Sequence, residues 1–416
     1  MQFKQLSKKQ FEIMLFPYTS YSALICDGAV RSGKTVMMTV SFVMWAMNCF
    51  TGMNFGICGK SVRSAERNII MPLLQIASMN QRYSLKYTRS ISLLTVTDPS
   101  GKENYFYIFG GKDESSYMLI QGITLAGILL DEVALMPRSF VEQALARCSV
   151  EGSKYWFNCN PDSPAHWFYT EWVQKAEQRN AMHLHFLMED NPSLSPQKLQ
   201  EYKTMYSGVF YDRYIRGQWV VAEGRVYQMF NDNPDAYILH DSTFGMDGQF
   251  FVSIDYGTLN PCSMGLWCVR GKQAIRIKEY YYSGRDTQQQ KTDEEYYTEL
   301  EKLTAGYYIR AVVIDPSAAS FIACIRRHGK FLVRQAINDV NDGIRITSSL
   351  LSAGMLLIHE SCKDCIREFG LYRWDDTKNQ DTVIKENDHA MDDVRYFCNT
   401  ILAREFRWDN WAASRR

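Results

Sequence analysis

The chain lacks a net charge: 46 Lys+Arg balance 46 Asp+Glu over 416 residues. A uniformly basic nucleic-acid binder is thereby excluded, and any DNA contact has to come from local basic patches. There is no secretory leader to be read at the start, because Met1 to Gln10 is polar and no adequate apolar stretch follows. No internal repeat and no low-complexity tract is present. Cys362 and Cys365 form a C-x-x-C, but no second pair sits at zinc-finger spacing, so they read as core residues on a helix face. The eleven cysteines are scattered and odd in number, which speaks for reduced thiols in a cytosol and against a disulfide framework. One stretch, Val36 to Gly59, is without charge. Thr51-Gly52 and Asn54 interrupt it, so it predicts a buried helix followed by a buried strand, not a membrane span.

What is present reads as a two-domain globular protein. The length exceeds one ordinary core, and 46% hydrophobic with 22% charged residues is a soluble composition. Through Ala222 there are 22 Lys+Arg against 18 Asp+Glu, and beyond it 24 against 28. An acidic second half suits carboxylate metal sites. The first part alternates apolar runs with helical patterns, the signature of a parallel sheet. Strands are expected at Ala23–Cys26, Asn54–Cys58, Tyr105–Phe109, Gly127–Leu130, Tyr155–Asn158 and His183–Leu187, with a helix over Val36–Phe50 and a helical linker subregion at about 191–222. This assigns residues 1–222 to one domain and 223–416 to the other. The second restarts with three strands (Phe250–Gly257, Met264–Arg270, Ala274–Tyr282), a helix over Thr287–Leu303, a strand in AVVIDPSA and further helices, the last at His389–Leu402. That is the element order of a ribonuclease H-like fold.

GAVRSGKT, Gly28 to Thr35, fits G-x-x-x-x-G-K-[ST] between an apolar strand and an apolar helix. Gly28, Arg31, Ser32 and Gly33 belong to a loop whose amides turn toward phosphate oxygens, with the helix N-terminus adding partial positive charge. Lys34 is expected to reach the β- and γ-phosphates of ATP and Thr35 to hold Mg²⁺. GILLDE, Gly127 to Glu132, supplies the partner acids: Asp131 toward Mg²⁺, Glu132 as the base for the attacking water. Arg31 is the nearest positive charge for the transition state; Arg63, Arg67, Arg138 and Arg147 are others, with surface ion pairing the plainer reading for these four. Asn158 and Asn160 in FNCNP are placed to sense the γ-phosphate, although an Asn-Pro turn is the simpler reading from these residues alone.

The second half carries separated carboxylates. Asp255 in SIDYG and Asp315 in VVIDPS end apolar strands; His389, Asp392 and Asp393 lie in HAMDDVRY. Residues three apart share a helix face, so His389 and Asp392 point together. Such groups converging on two divalent metals, Mn²⁺ or Mg²⁺, suit phosphodiester cleavage. A DNA-translocating ATPase whose second domain only binds, an assembly module with a vestigial P-loop, and a small-molecule kinase are the alternatives.

The order GAVRSGKT, ILLDE, FNCNP, YDRYIRGQWVVAEGRVY, SIDYG, VVIDPS, HAMDDVRY resembles the large subunit of tailed-phage terminases, in particular the group of phages and prophages of Gram-positive bacteria, over essentially the whole chain. The resemblance implies an α/β architecture: an N-terminal RecA-like P-loop ATPase of the additional-strand, catalytic-glutamate type, then a ribonuclease H-like endonuclease. It casts Arg31 as the P-loop arginine, makes Asn158 and Asn160 the coupling motif, and puts Asp255, Asp315 and Asp392 on the nuclease metals with His389 beside them. The family's last motif usually has a small residue after its Asp; here Asp393 follows, so both acids stay candidates. The implied role is to cut concatemeric double-stranded DNA at the start and end of packaging and to pump it by ATP hydrolysis through the portal into a procapsid. The implied partners are a small terminase subunit and the portal protein. The motor is typically a pentameric ring on the portal and often a monomer in solution. It acts in the bacterial host cytoplasm, without a membrane, and is not retained in the mature virion. The polar segment Arg373–Asn387 resembles a hairpin lying over the nuclease groove and limiting cutting; deletion that left cleavage rate and metal dependence unchanged would remove that expectation.

Overall fold

The computed structural model describes residues 5–240, 247–378 and 381–403. The chain divides into two compact units, Met1–Lys203 with Tyr211–Val221, and Thr204–Phe210 with Ala222–Arg416. The expected linker subregion is thus shared, its middle grouping with the second unit.

The first unit is built on strands β1 (Ala23–Gly28), β2 (Asn54–Gly59), β3 (Ser84–Thr88), β4 (Leu93–Thr97), β5 (Glu103–Gly110), β6 (Gly127–Asp131), β7 (Lys154–Asn158) and β8 (Ala181–Phe186). Their order in the sheet is β3-β4-β5-β2-β6-β7-β1-β8. The six strands from β5 to β8 in that order are parallel, and β3 and β4 add an antiparallel edge. β7 lies as an additional strand between the loop-bearing β1 and the acid-bearing β6, as the expected fold requires. β1 and β6 are buried along their whole length, as parallel strands covered on both faces must be, and so read as apolar runs as far as the acids Asp27 and Asp131 near their ends. The uncharged stretch resolves into a helix, Lys34–Cys49, and β2. The helix is buried nearly all round, with Phe42 and Trp45 packed on Trp156 and Phe55. Among the described residues no helix is long and apolar enough to cross a membrane.

The second unit holds β9 (Ile238–Leu239), β10 (Gln249–Asp255), β11 (Cys262–Arg270), β12 (Gln273–Tyr282), β13 (Ile309–Ile314), β14 (Val333–Gln335) and β15 (Leu356–His359). The order is β14-β13-β10-β11-β12-β15-β9. β10, β11 and β12 form an antiparallel meander, and β13 and β14 continue parallel beyond β10. Strand order 3-2-1-4-5 is therefore embedded in the sheet, the ribonuclease H-like topology, with β15 and β9 added at the β12 edge. The helix His389–Phe397 packs across β10 and β11. The helix expected over Thr287–Leu303 begins only at Asp293, where Thr292 caps it through a reciprocal pair with Glu295; Thr287 instead closes a short helix, Gly284–Thr287, that Gln288 ends in the left-handed region. In the Arg373–Asn387 segment, Arg373 bridges Arg225 and Trp374 bridges Val383, both antiparallel; residues 379–380 lie outside the described part. Cys362 and Cys365 are buried at the start of the helix Lys363–Leu371, and all eleven cysteines are thiols.

Candidate active sites

The P-loop follows β1 and bends through two glycines that no other residue could replace without strain. At Gly28 (φ +114) a Cβ would sit 2.0 Å from the Phe186 carbonyl oxygen; Gly33 (φ +85) caps the helix. Lys34 is buried, and its Nζ donates to the Gly28 and Ala29 carbonyls (3.1 and 2.6 Å), Ser32 Oγ (3.2 Å) and Asn160 Oδ1 (3.4 Å). Burial pulls this ammonium down to about 8. Thr35 Oγ1 donates to Asp131 Oδ1 (3.2 Å). Asn158 pairs in register with both Cys26 and Asp131, and its Nδ2 donates to Thr35 Oγ1 (2.8 Å) and to Asp131 Oδ1. The sheet order explains this: β7 carries Asn158 into the gap between loop and acid. Burial raises the Asp131 carboxyl. Glu132 sits at the same strand end in the left-handed region (φ +58), opening the turn Val133–Leu135. Arg31 is exposed, also left-handed (φ +58), with its guanidinium 5.6 Å from the centre of the Tyr202 ring. Arg138 pairs with Glu142 (2.6 Å) on its own helix, and Arg67 donates to Asn68 (3.1 Å).

Asp27, immediately before the loop, escaped sequence reasoning. Its buried carboxylate accepts from His183 Nε2 and His185 Nδ1 (2.9 Å each) and from Trp219 Nε1 (2.7 Å). Burial alone would raise it; the two histidines hold it well below the usual carboxylate range. Val30 N donates to the Tyr214 carbonyl (2.8 Å), and a Cβ at Gly217 would lie 3.0 Å from Ala29 N. Much of YDRYIRGQWVV is thus a strap on the back of the P-loop.

In the second unit, β10 and β13 are parallel with Ile254 opposite Ile314, so Asp255 and Asp315 leave adjacent strand ends together. His389 Nδ1 is 2.8 Å from Asp255 Oδ2. Burial, with repulsion from Asp392 and against the His389 contact, lifts the Asp255 carboxyl to about 6. Burial opposes charge on His389, yet Asp255 holds it above the usual histidine range. Asp315 accepts from Ser317 N (2.8 Å) and Asn338 Nδ2 (2.9 Å), donors that overcome burial and keep it low. Asp392 accepts from Arg395 Nη2 (2.8 Å) and Lys385 Nζ (3.5 Å). Lys385 also reaches Asp388 (3.3 Å); against burial, the two acids raise its ammonium. Lys385 and Asp388 were not anticipated, since neither belongs to a recognisable pattern; Arg395, three residues after Asp392, was readable from helical spacing.

The two acids left open by the sequence separate here, which corrects the inclusion of Asp393. Successive helix residues point about 100° apart. Asp393 turns into the sheet, wholly buried, where Arg276 grips both carboxylate oxygens and Ser253 and Ser263 donate to them. It is a core ion pair with no oxygen left for a metal. Asp393→Asn is expected to lower stability by about 3–5 kcal/mol, because Arg276 is left buried and uncompensated. Denaturant unfolding of the full chain reads this; an unchanged midpoint would contradict the pairing.

The chain matches, over residues 25–233, the family described as terminase large subunit, T4likevirus-type, N-terminal. No curated protein matches it. Among solved structures it is similar to the large terminase from a thermophilic bacteriophage, at 47% identity and a TM-score of 0.91, covering 96% of this chain and 100% of that one. The likeness extends to that protein in complex with ADP (46%, 0.89, 95% and 100%) and with ATP-gamma-S (45%, 0.88, 96% and 100%). With a P-loop ATPase fold, a ribonuclease H-like fold and this similarity along almost its entire length, the chain belongs to the terminase large subunit family.

Proposed function

We propose that this protein is a DNA-packaging motor that hydrolyses ATP at the P-loop and cuts double-stranded DNA at the carboxylate cluster. The observation that carries the reading is the presence in one chain of two separately assembled sites: Lys34, Thr35, Asp131 and Asn158 joined by hydrogen bonds, and Asp255, Asp315 and Asp392 at adjoining strand and helix positions. That the thermophilic phage's large terminase was solved with ADP and ATP-gamma-S supports nucleotide binding by the matching loop.

Gly28, Ser32 and Gly33 would present amides to the phosphates, and Lys34, now turned onto the loop's own carbonyls, would be drawn out to them. Phosphate charge would also restore the proton that burial loosens. Thr35 and Asp131 would hold Mg²⁺, which supplies charge neutralisation to phosphoryl transfer. Glu132 takes the proton of the attacking water, Arg31 adds positive charge, and Asn158 and Asn160 bridge loop and acid so that loss of the γ-phosphate is felt by both.

In the second unit the donor set is carboxylate oxygen, which fits Mg²⁺ or Mn²⁺. Burial first, and Asp392 after it, lift the Asp255 carboxyl, and a bound cation would favour its charged form. Asp255, Asp315 and Asp392 would hold the pair of metals, which stabilises attacking and leaving oxygens. His389 orients Asp255, and Lys385 with Arg395 orients Asp392. DNA, a small terminase subunit and the portal of a procapsid are the proposed partners, with a ring, typically pentameric, as the working assembly in the host cytoplasm. The test is plasmid cleavage and ATP turnover by the full chain with Mg²⁺, Mn²⁺ or chelator. Metal-dependent activity of both kinds is expected; ATP turnover without cleavage in any metal would leave a translocating ATPase whose second unit only binds.

A further inference from the structure

Two neighbouring helices of the second unit, Asp293–Leu303 and Ala319–His328, carry a side-chain cluster that neither site uses. Cys324 and His328 are one turn apart and share a face of the second helix, and Glu294 comes from the first turn of the other. One ligand atom from each of the three lies within 4.8 Å of the other two. The Cys324 side chain is buried, whereas Glu294 and His328 reach solvent. His328 Nε2 is 2.8 Å from Glu294 Oε2, and its ring lies flat on Tyr297, with centroids 3.8 Å apart and planes 9° from parallel. Arg327 Nη2 bonds Glu294 Oε1 and stands 3.8 Å from Cys324 Sγ.

We propose that Glu294, Cys324 and His328 form a site for a thiophilic divalent cation, Zn²⁺ in the first place, that staples the two helices together. A thiolate, an imidazole and a carboxylate are a borderline-soft set, suited to Zn²⁺ and poorly matched to Mg²⁺, whereas the nuclease cluster offers oxygen alone. Zinc–ligand distances of about 2.0–2.3 Å put tetrahedral ligand atoms about 3.3–3.8 Å apart. The cluster reaches that by small rotations of the two exposed side chains. On binding, the Cys324 proton and any second proton on His328 pass to solvent, the imidazole presents Nε2, and water fills the fourth position. Stacking on Tyr297 holds the plane of the ring. The Arg327 guanidinium provides the cluster's present positive charge; its side chain is 68% exposed, so it can swing out at little cost. Because the thiol gives up its proton on binding, binding tightens as pH rises. The staple bears on the nuclease frame: Phe321 stacks on Tyr256 (4.8 Å), next to Asp255, and Asp293 accepts the Tyr256 hydroxyl.

The test is titration of metal-free full-length protein with Co²⁺ and then Zn²⁺, in a Cys49→Ser background that removes the exposed thiol. One equivalent of Co²⁺ is expected to give a thiolate-to-metal charge-transfer band in the near ultraviolet. Zn²⁺ should displace it and raise the unfolding temperature. The band should vanish in Cys324→Ser and persist in Asp255→Asn. Because Cys324 is buried, the exposed His328→Gln provides a second measurement: Zn²⁺ affinity should fall by more than the about 10–100-fold that loss of an outer partner costs. Arg327→Ala should tighten binding. Absence of the band, or an unchanged Zn²⁺ affinity in His328→Gln, would overturn the site.

Discussion

Glu132→Gln is expected to bind ATP normally and to lose about 10²–10⁴-fold in turnover, the usual worth of a positioned general base. The substitution leaves intact every group expected to hold the nucleotide: the loop amides, Lys34, Thr35 and Asp131. It also preserves side-chain length at a position whose backbone is in the left-handed region (φ +58). Such a conformation at a residue other than glycine costs about 1–3 kcal/mol and persists only where the surroundings impose it. Here the buried strand β6 on one side and the turn Val133–Leu135 on the other do so, and that turn is closed by Leu135 N donating to the Glu132 carbonyl at 2.8 Å. The check is a pair of measurements, equilibrium titration with a fluorescent ATP analogue and single-turnover hydrolysis. Turnover within tenfold of the parent would move the base to another residue. Lys34→Ala differs in kind, because it removes binding as well as catalysis.

Asp255→Asn is expected to abolish cleavage, by about 10³-fold or more if removing one ligand displaces a metal that stabilises transition-state charge. It is expected at the same time to make the metal-free protein more stable. The Asp255 carboxyl stands at about 6 in the fold against an ordinary 3.8. A folded acid with a raised value binds the proton more tightly than its unfolded counterpart, so its penalty is absent below about pH 3.8, grows through the interval and is complete above about pH 6. At pH 8 the difference amounts to at most about 3 kcal/mol. Loss of the His389 partner works the other way, which leaves a net gain of about 1–2 kcal/mol, or a few degrees in unfolding temperature. The gain should shrink by roughly half at pH 5. Mn²⁺ should then stabilise the parent and not the variant, since a ligand held only by the folded state adds to its stability. A variant that is metal-stabilised and still cuts would remove Asp255 from the site. One that is less stable without metal at pH 8 would mean that the His389 contact outweighs the burial of charge.

These two sites were legible to very different depths. GAVRSGKT and GILLDE could be read because their chemistry depends on contiguous backbone: a loop turning between strand and helix, and acids at the end of a buried strand. β1, β2, β5, β6 and β7 announced themselves as apolar runs because both faces of the sheet are covered. The β3–β4 edge did not; β3 has no fully buried residue and β4 buries only Leu94 and Val96, so the pattern is short and weak. β15, four residues long, is a strand only because the β12 edge offers it hydrogen bonds, and β9, two residues long, only because β15 does. Helical spacing put His389 and Asp392 on one face, and the same spacing could not say which way the helix was turned. That is why Asp392 and Asp393 looked equivalent until Arg276, 117 residues away in sequence, claimed one of them.

By itself, then, the sequence determined the family, the order of the two folds and the segments on which the candidate residues lie, because these rest on local order along the chain and on a burial pattern written into it. The tertiary structure alone decided which acids face the sites and which sit in the core, how Asn158 comes between loop and acid, and that Asp27 is gripped by Trp219 from 192 residues away. Such choices depend on strand order and helix rotation, which are set by the packing of the whole unit and leave no periodic trace in any one segment.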